Sequence, residues 1–216
     1  MKLLRHIIFD LDGTLVDSLP GIAYSIQAAL RACGFPPVAQ DLAPLIGPPV
    51  RDILATVSGA SGGGLLDRLE HSFRASYDAE GWRRTVCLPG VPNMLWNLMT
   101  SGIDLYVATN KPALPTKRIL RELNLDGFFN EAACRDSRKP SYASKAAMLL
   151  DLLARHEMDP AACLMVGDTA EDWRAAEAAG IDCVIAGDGN SLPQGCRRIA
   201  NWDELNEMTR LEGAII

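Results

Sequence analysis

The chain has no excess of positive charge, no paired-cysteine motif and no long apolar run, and each absence removes a class of function. Its 216 residues carry 21 lysines and arginines against 27 aspartates and glutamates, a formal net charge of −6. That balance argues against a nucleic-acid or anionic-membrane surface, although a few local cations can still hold a small anion. The six cysteines (Cys33, Cys87, Cys134, Cys163, Cys183 and Cys196) form no C-x-x-C pair, so neither a zinc site nor a thioredoxin-like dithiol is expected. Those inside apolar stretches such as Ala162-Cys163-Leu164-Met165-Val166 read as reduced thiols packing as small hydrophobes. No window approaches the roughly 20 apolar residues of a membrane helix. The short apolar run after Met1-Lys2-Leu3-Leu4-Arg5-His6 breaks at Asp10, too soon for a signal-peptide core. Heptads and internal repeats are missing too, which leaves monomer and homodimer open. The expectation is a soluble, acidic, cytoplasmic protein without nucleic-acid or membrane partners.

What is present is a rhythm of strands and helices. Four short apolar runs end in small or acidic residues: 6–9 before Asp10, 104–108 before Thr109, 163–166 before Gly167-Asp168, and 183–186 before Gly187-Asp188. Continuous apolar runs of this length suit strands buried on both faces, as in parallel sheets. Helical patterns lie between them at about 91–101, 113–124, 143–156 and 171–179, with Gly102 and Gly180 placed to end two of them. Strands alternating with helices predict an α/β fold, a doubly wound, Rossmann-like parallel sheet. Residues 17–86 break the rhythm. They offer amphipathic patterns at about 20–33, 38–46, 49–58 and 65–80, with Pro20 well placed as a first helical residue after Ser18. The expected division is an α/β core of 1–16 and 87–216 and an inserted helical domain of 17–86. Trp82, Trp96, Trp173 and Trp202 read as packing residues, and His6, His71 and His156 share no motif.

In an open α/β sheet, ligands bind beyond the carboxyl ends of the strands. Here those ends carry Asp10-Leu11-Asp12-Gly13-Thr14, Thr109-Asn110-Lys111 and Gly167-Asp168-Thr169-Ala170-Glu171-Asp172. A pocket holding several carboxylates, a hydroxyl and a lysine suits phosphoryl transfer. Mg2+ takes oxygen ligands, commonly one or two carboxylates plus substrate phosphate and water, and Asp10 and Asp168 can supply the pair. An anionic Asp10 could then attack phosphorus and form an acyl phosphate. Asp12, two residues on, could protonate the leaving alcohol and later deprotonate water. Thr109 and the backbone around Asn110 would take the phosphate oxygens. Asp172 also reads as a helix-start residue, and the two roles are compatible.

These motifs in this order resemble the haloacid dehalogenase-like hydrolase superfamily, in particular its phosphoglycolate phosphatase-like branch with a helical cap after the first motif. The resemblance extends through Leu15-Val16-Asp17-Ser18 and Gly47-Pro48-Pro49. It implies Asp10 as nucleophile, Asp12 as acid/base with its backbone carbonyl on the metal, Asp168 as metal ligand, and Asp172 as the partner of a motif lysine. Gly13, Thr109, Asn110 and that lysine would form the phosphate site. Many relatives carry the lysine in Lys-Pro-x-Pro, of which Lys139-Pro140-Ser141-Tyr142 keeps only half. Lys145, opening a helix as some relatives' lysine does, is preferred, and Lys139 is the alternative. Arg51 is the candidate for substrate specificity, through its planar fork, beside the reading of a solvent-facing helix residue. The resemblance implies a magnesium-dependent phosphatase of a small metabolite such as 2-phosphoglycolate. A sugar phosphate, a nucleotide, pyrophosphate or a phosphomutase reaction are alternatives. A metal-free dehalogenase has no use for Asp12. Closure of the helical insert, with hinges at Val16-Asp17 and 86–89, is expected.

Overall fold

A computed structural model describes residues 3–39, 41–45, 49–187, 192 and 195–213. Gly47-Pro48 and Asp188 therefore lie outside the described residues, as does part of the 38–46 pattern. The chain divides into two units, one of 1–16 and 87–216, the other of 17–86. Among the described residues, no helix is long and apolar enough to cross a membrane, and all six cysteines are free thiols.

The first unit is built on six parallel strands. They are β1 (His6–Phe9), β4 (Asp104–Thr109), β5 (Glu131–Cys134), β6 (Cys163–Gly167), β7 (Asp182–Ala186) and β8 (Arg197–Ile199), in the order β5-β4-β1-β6-β7-β8. β2 (Val16–Asp17) and β3 (Val86–Cys87) form a separate two-stranded sheet. Alternate residues of a strand face opposite ways, and the central strands are apolar on both faces. Ile8, Tyr106 and Met165 share a buried cluster with Met148, Leu149, Leu152 and Leu153 of α6 (Lys145–Arg155) and with Ala175, Ala176 and Ala179 of α7 (Ala170–Ala179). Ile7, Phe9, Leu105 and Val107 alternate with these and are equally buried. Of the remaining helices, α4 (Val91–Thr100) packs on β4 and on α8 (Trp202–Gly213), and α5 (Ala113–Glu122) packs on β5. The result is the predicted α/β sheet with helices about it.

Within the six-stranded sheet, the two strands that the sequence pattern does not announce lie at the edges. β5 reads Glu-Ala-Ala-Cys and β8 reads Arg-Arg-Ile. Neither is a continuous apolar run, because an edge strand is paired along one side only and its partners can enforce its conformation. The α7 helix ends on Gly180 in the left-handed conformation, as its position predicts. Trp96 corrects the expectation that every tryptophan packs: it stands 57% exposed on α4.

The second unit holds α1 (Leu19–Ala32), α2 (Val50–Ser58) and α3 (Gly63–Ala79). α1 and α3 pack together, as do α2 and α3. Pro20 lies in the first turn of α1, and the Asp17 carboxylate accepts a hydrogen bond from the Leu19 N–H at 2.9 Å. In place of the 38–46 helix, the described residues show one short 3-10 turn at Ala43–Leu45. Pro44 withholds a backbone donor that a helix over 38–46 would need.

Candidate active site

Strand register alone brings the three motifs together. Phe9 is level with Val107 of β4 on one side and with Val166 of β6 on the other. One residue further on, Asp10 is level with Ala108 and Gly167, so Thr109 and Asp168 come next on its two flanks. The Asp10 N–H donates to the Val166 carbonyl at 2.8 Å, which fixes the strand end just where the carboxylate departs.

Lys145, the first residue of α6, reaches into this place. Its Nζ lies 2.7 Å from Asp10 Oδ1 and 2.5 Å from Asp172 Oδ1, and all three side chains are buried. Ser144 caps α6 through its hydroxyl, which accepts from the Ala147 N–H and so sets where the helix begins. Lys139, the alternative, is exposed. Asp172 is in turn held by the start of α7. Its Oδ2 accepts from the Thr169 hydroxyl at 2.6 Å, the Thr169 N–H at 3.0 Å and the Asp168 N–H at 3.3 Å. With the Thr169 hydroxyl accepting from the Asp172 N–H, this is a capping box. Asp172 thus starts a helix and orients a lysine at once. Gly167 makes room for it, since a Cβ there would collide with the Asp172 side chain.

Ligand oxygens of Asp10, Asp168 and Asp172 all lie within 4.8 Å of one another. Both Asp172 oxygens are already engaged, which leaves Asp10 and Asp168 as donors to an ion. Three carboxylates and one ammonium leave two uncompensated negative charges when all are ionised, a deficit suited to an oxygen-seeking dication. The protonation energetics agree. Burial pushes the Asp10 carboxyl up to about 8, with Lys145 pulling it down and Asp172 and Asp168 adding to the rise. Burial and then the charge of Asp172 push Asp168 up to about 6. Burial by itself would favour neutral Lys145, but Asp10 and Asp172 reverse that and keep it an ammonium. The residues present fit a magnesium ion. Asp168 also lies directly over Gly13, whose φ of 85° and contact with that carboxylate both exclude a side chain. The Thr14 hydroxyl is 3.5 Å from Asp168 Oδ1.

Asp12 stands apart from the carboxylate cluster. Both of its oxygens are 2.9 Å from the Nζ of Lys111, whose side chain is 7% exposed. This pairing does not involve the main-chain oxygen of Asp12, the atom that the resemblance gives to the ion. The Thr109 hydroxyl is buried and accepts from the Lys111 N–H at 3.1 Å, which leaves its own proton to donate. Asn110 donates its side-chain amide to Glu171 at 2.9 Å. Gly13 donates its N–H to the Val16 carbonyl at 2.8 Å. Arg51 belongs to the other unit and pairs there with Asp67 at 2.7 Å and Glu70 at 2.9 Å. The site residue that sequence reasoning assigned no role of its own is Lys111. Its place in the strand-end trio was the one available signal.

The pattern of the haloacid dehalogenase-like hydrolase family matches residues 7–186. The tyrosine-protein kinase PtkA of Mycobacterium tuberculosis is 37% identical over 187 residues, 85% of this chain and 62% of that protein. The chain thus spans somewhat less than two thirds of that relative's length. A solved structure of PtkA superposes with a TM-score of 0.82 at 33% identity, covering 97% of this chain and 99% of that one. A 5'-nucleotidase of Pseudomonas aeruginosa is 31% identical over 85% of this chain and 83% of its own. A phosphoglycolate phosphatase of Vibrio cholerae is 30% identical over 83% of both. Matched over most of its length and carrying the three strand-end motifs at one end of one sheet, the chain belongs to the haloacid dehalogenase-like hydrolases.

Proposed function

We propose that the protein is a magnesium-dependent phosphomonoesterase acting on a small cytosolic metabolite through an aspartyl-phosphate intermediate. The observation that carries this reading is the buried Lys145 bridging Asp10 and Asp172 beside Asp168. Asp10 and Asp168 would hold the ion, which when bound supplies positive charge that lets two anions approach. Lys145 binds phosphate oxygens and, together with the ion's charge, opposes the burial that favours protonated Asp10, so that the carboxylate can attack. The Thr109 hydroxyl donates to a phosphate oxygen. One Asp10 oxygen bonds to phosphorus as the ester P–O bond breaks, and Asp12 gives its proton to the departing oxygen. Asp12 then takes a proton from water, which attacks the same phosphorus, releasing inorganic phosphate and restoring Asp10.

The relatives' names make 2-phosphoglycolate and nucleoside monophosphates the first substrates to try, and residues 17–86 are read as the cap that selects among them. A second reading, transfer of the phosphoryl group to a hydroxyl acceptor instead of water, has the kinase-named relative in its favour, since one acyl phosphate serves both outcomes. The test is phosphate release from a panel of phosphomonoesters with and without magnesium, with tyrosine peptide and sugar acceptors added, for wild type and Asp10→Asn. The expected result is metal-dependent release that falls at least about a thousandfold in the variant, as for other nucleophile losses. Release without metal, or by Asp10→Asn, would sink the proposal. Label appearing in an acceptor would shift it to the second reading.

A further inference from the structure

Two lysines in this site each hold one aspartate of the first motif, and only one of them has a role so far. Lys145 holds Asp10, whereas Lys111 holds Asp12 through both carboxylate oxygens at 2.9 Å. The Lys111 side chain is 7% exposed and that of Asp12 32% exposed. A buried ammonium is costly unless paired, so Lys111 is drawn to Asp12 and not out to water. The same residue donates its main-chain N–H to the Thr109 hydroxyl at 3.1 Å. One residue thus fixes both a phosphate-binding hydroxyl and the carboxylate two positions past the nucleophile.

We propose that Lys111 is a positioning residue for Asp12, holding the carboxyl group where it can deliver a proton to the leaving oxygen. This rests on the reading of Asp12 as the acid. When Asp12 carries its proton, one oxygen bears it and the other accepts from Lys111. As the ester P–O bond breaks, that proton passes to the departing oxygen and the carboxylate is again forked by the ammonium.

The consequence is selective for leaving groups. A nitrophenolate departs without protonation, whereas an alkoxide needs the proton. The experiment compares kcat and KM on 4-nitrophenyl phosphate and on glycerol phosphate for wild type, Lys111→Met, Lys111→Gln, Lys111→Arg and Asp12→Asn. The expected result for Lys111→Met is that the nitrophenyl-to-alkyl ratio of kcat rises about tenfold or more, a moderate part of a general-acid contribution. KM on the two substrates should move together, and Lys111→Arg should recover part of the ratio. If the methionine variant does not fold, the glutamine variant, which keeps a donor of shorter reach, should show an intermediate ratio. Equal loss of kcat on both substrates would overturn the proposal. So would a rise in KM on both with the ratio unchanged, which would make Lys111 a phosphate contact. Asp12→Asn should show the same preference more strongly. If it shows none, the assignment of Asp12 fails first and that of Lys111 with it, whereas a preference in Asp12→Asn without one in Lys111→Met removes Lys111 alone.

Discussion

Asp10 and Asp168 are the residues whose environment asks most for a partner. Both are held above the ordinary carboxylate value of 3.8, Asp10 at about 8 and Asp168 at about 6, by burial foremost. A carboxyl with a raised folded-state value favours the folded state when protonated. That contribution is present at low pH and is lost as pH climbs from about 4 through about 6 and then about 8. Magnesium held by the same two carboxylates, as proposed, would compete with those protons, so its effect would run the other way. The prediction is that saturating magnesium raises Tm more at pH 8 than at pH 5, read by thermal melts with and without the ion. An equal or larger gain at pH 5 would contradict it. The aspartates were legible in the sequence because each motif is local: Asp10 and Asp12 are two residues apart, and Asp168 and Asp172 four. The pairing of Lys111 with Asp12 was not, because 99 positions separate them. A lysine after a strand also reads as a solvated surface residue.

At the scale of elements, the start of α7 joins stability to chemistry. Thr169 and Asp172 close the capping box, and Asp172 passes its orientation to Lys145. Thr169→Ala should destabilise the protein by about 1 kcal/mol, the usual value of an N-cap. It should also lower turnover by freeing Asp172 from one of its anchors. Urea unfolding and initial rates together check this, and unchanged stability with unchanged turnover would show the box to be ornamental. The central strands and main helices could be read from sequence because each carries a strong period or a continuous apolar run. The edge strands β5 and β8 could not, since Glu131 and the paired Arg197 and Arg198 have no apolar pattern and take their conformation from their neighbours. The 38–46 expectation gave way around Ala43–Leu45 because apolar spacing does not outweigh Pro44, which removes a helix donor inside the segment.

For the whole molecule, charge and topology settle how an acidic protein can take an anion. The net charge of −6 is spread over the chain, but Lys111, just past β4, and Lys145, at the start of α6, reach Asp12 and Asp10 at one end of the sheet. Site geometry and not overall charge then governs the substrate. Strand order was the part of this that sequence could not supply, since it depends on pairings between segments 98 and 157 residues apart. Once β1 lies between β4 and β6, the three motifs converge without further adjustment. The central claim is that Asp10 carries the phosphoryl group. Its most direct measurement is rapid acid quench of the enzyme turning over its best panel substrate with magnesium, followed by peptide mass mapping. The account predicts a base-labile phosphoryl group on Asp10, absent from Asp10→Asn. A phosphoryl group on any other residue, or turnover persisting in Asp10→Asn, would contradict it.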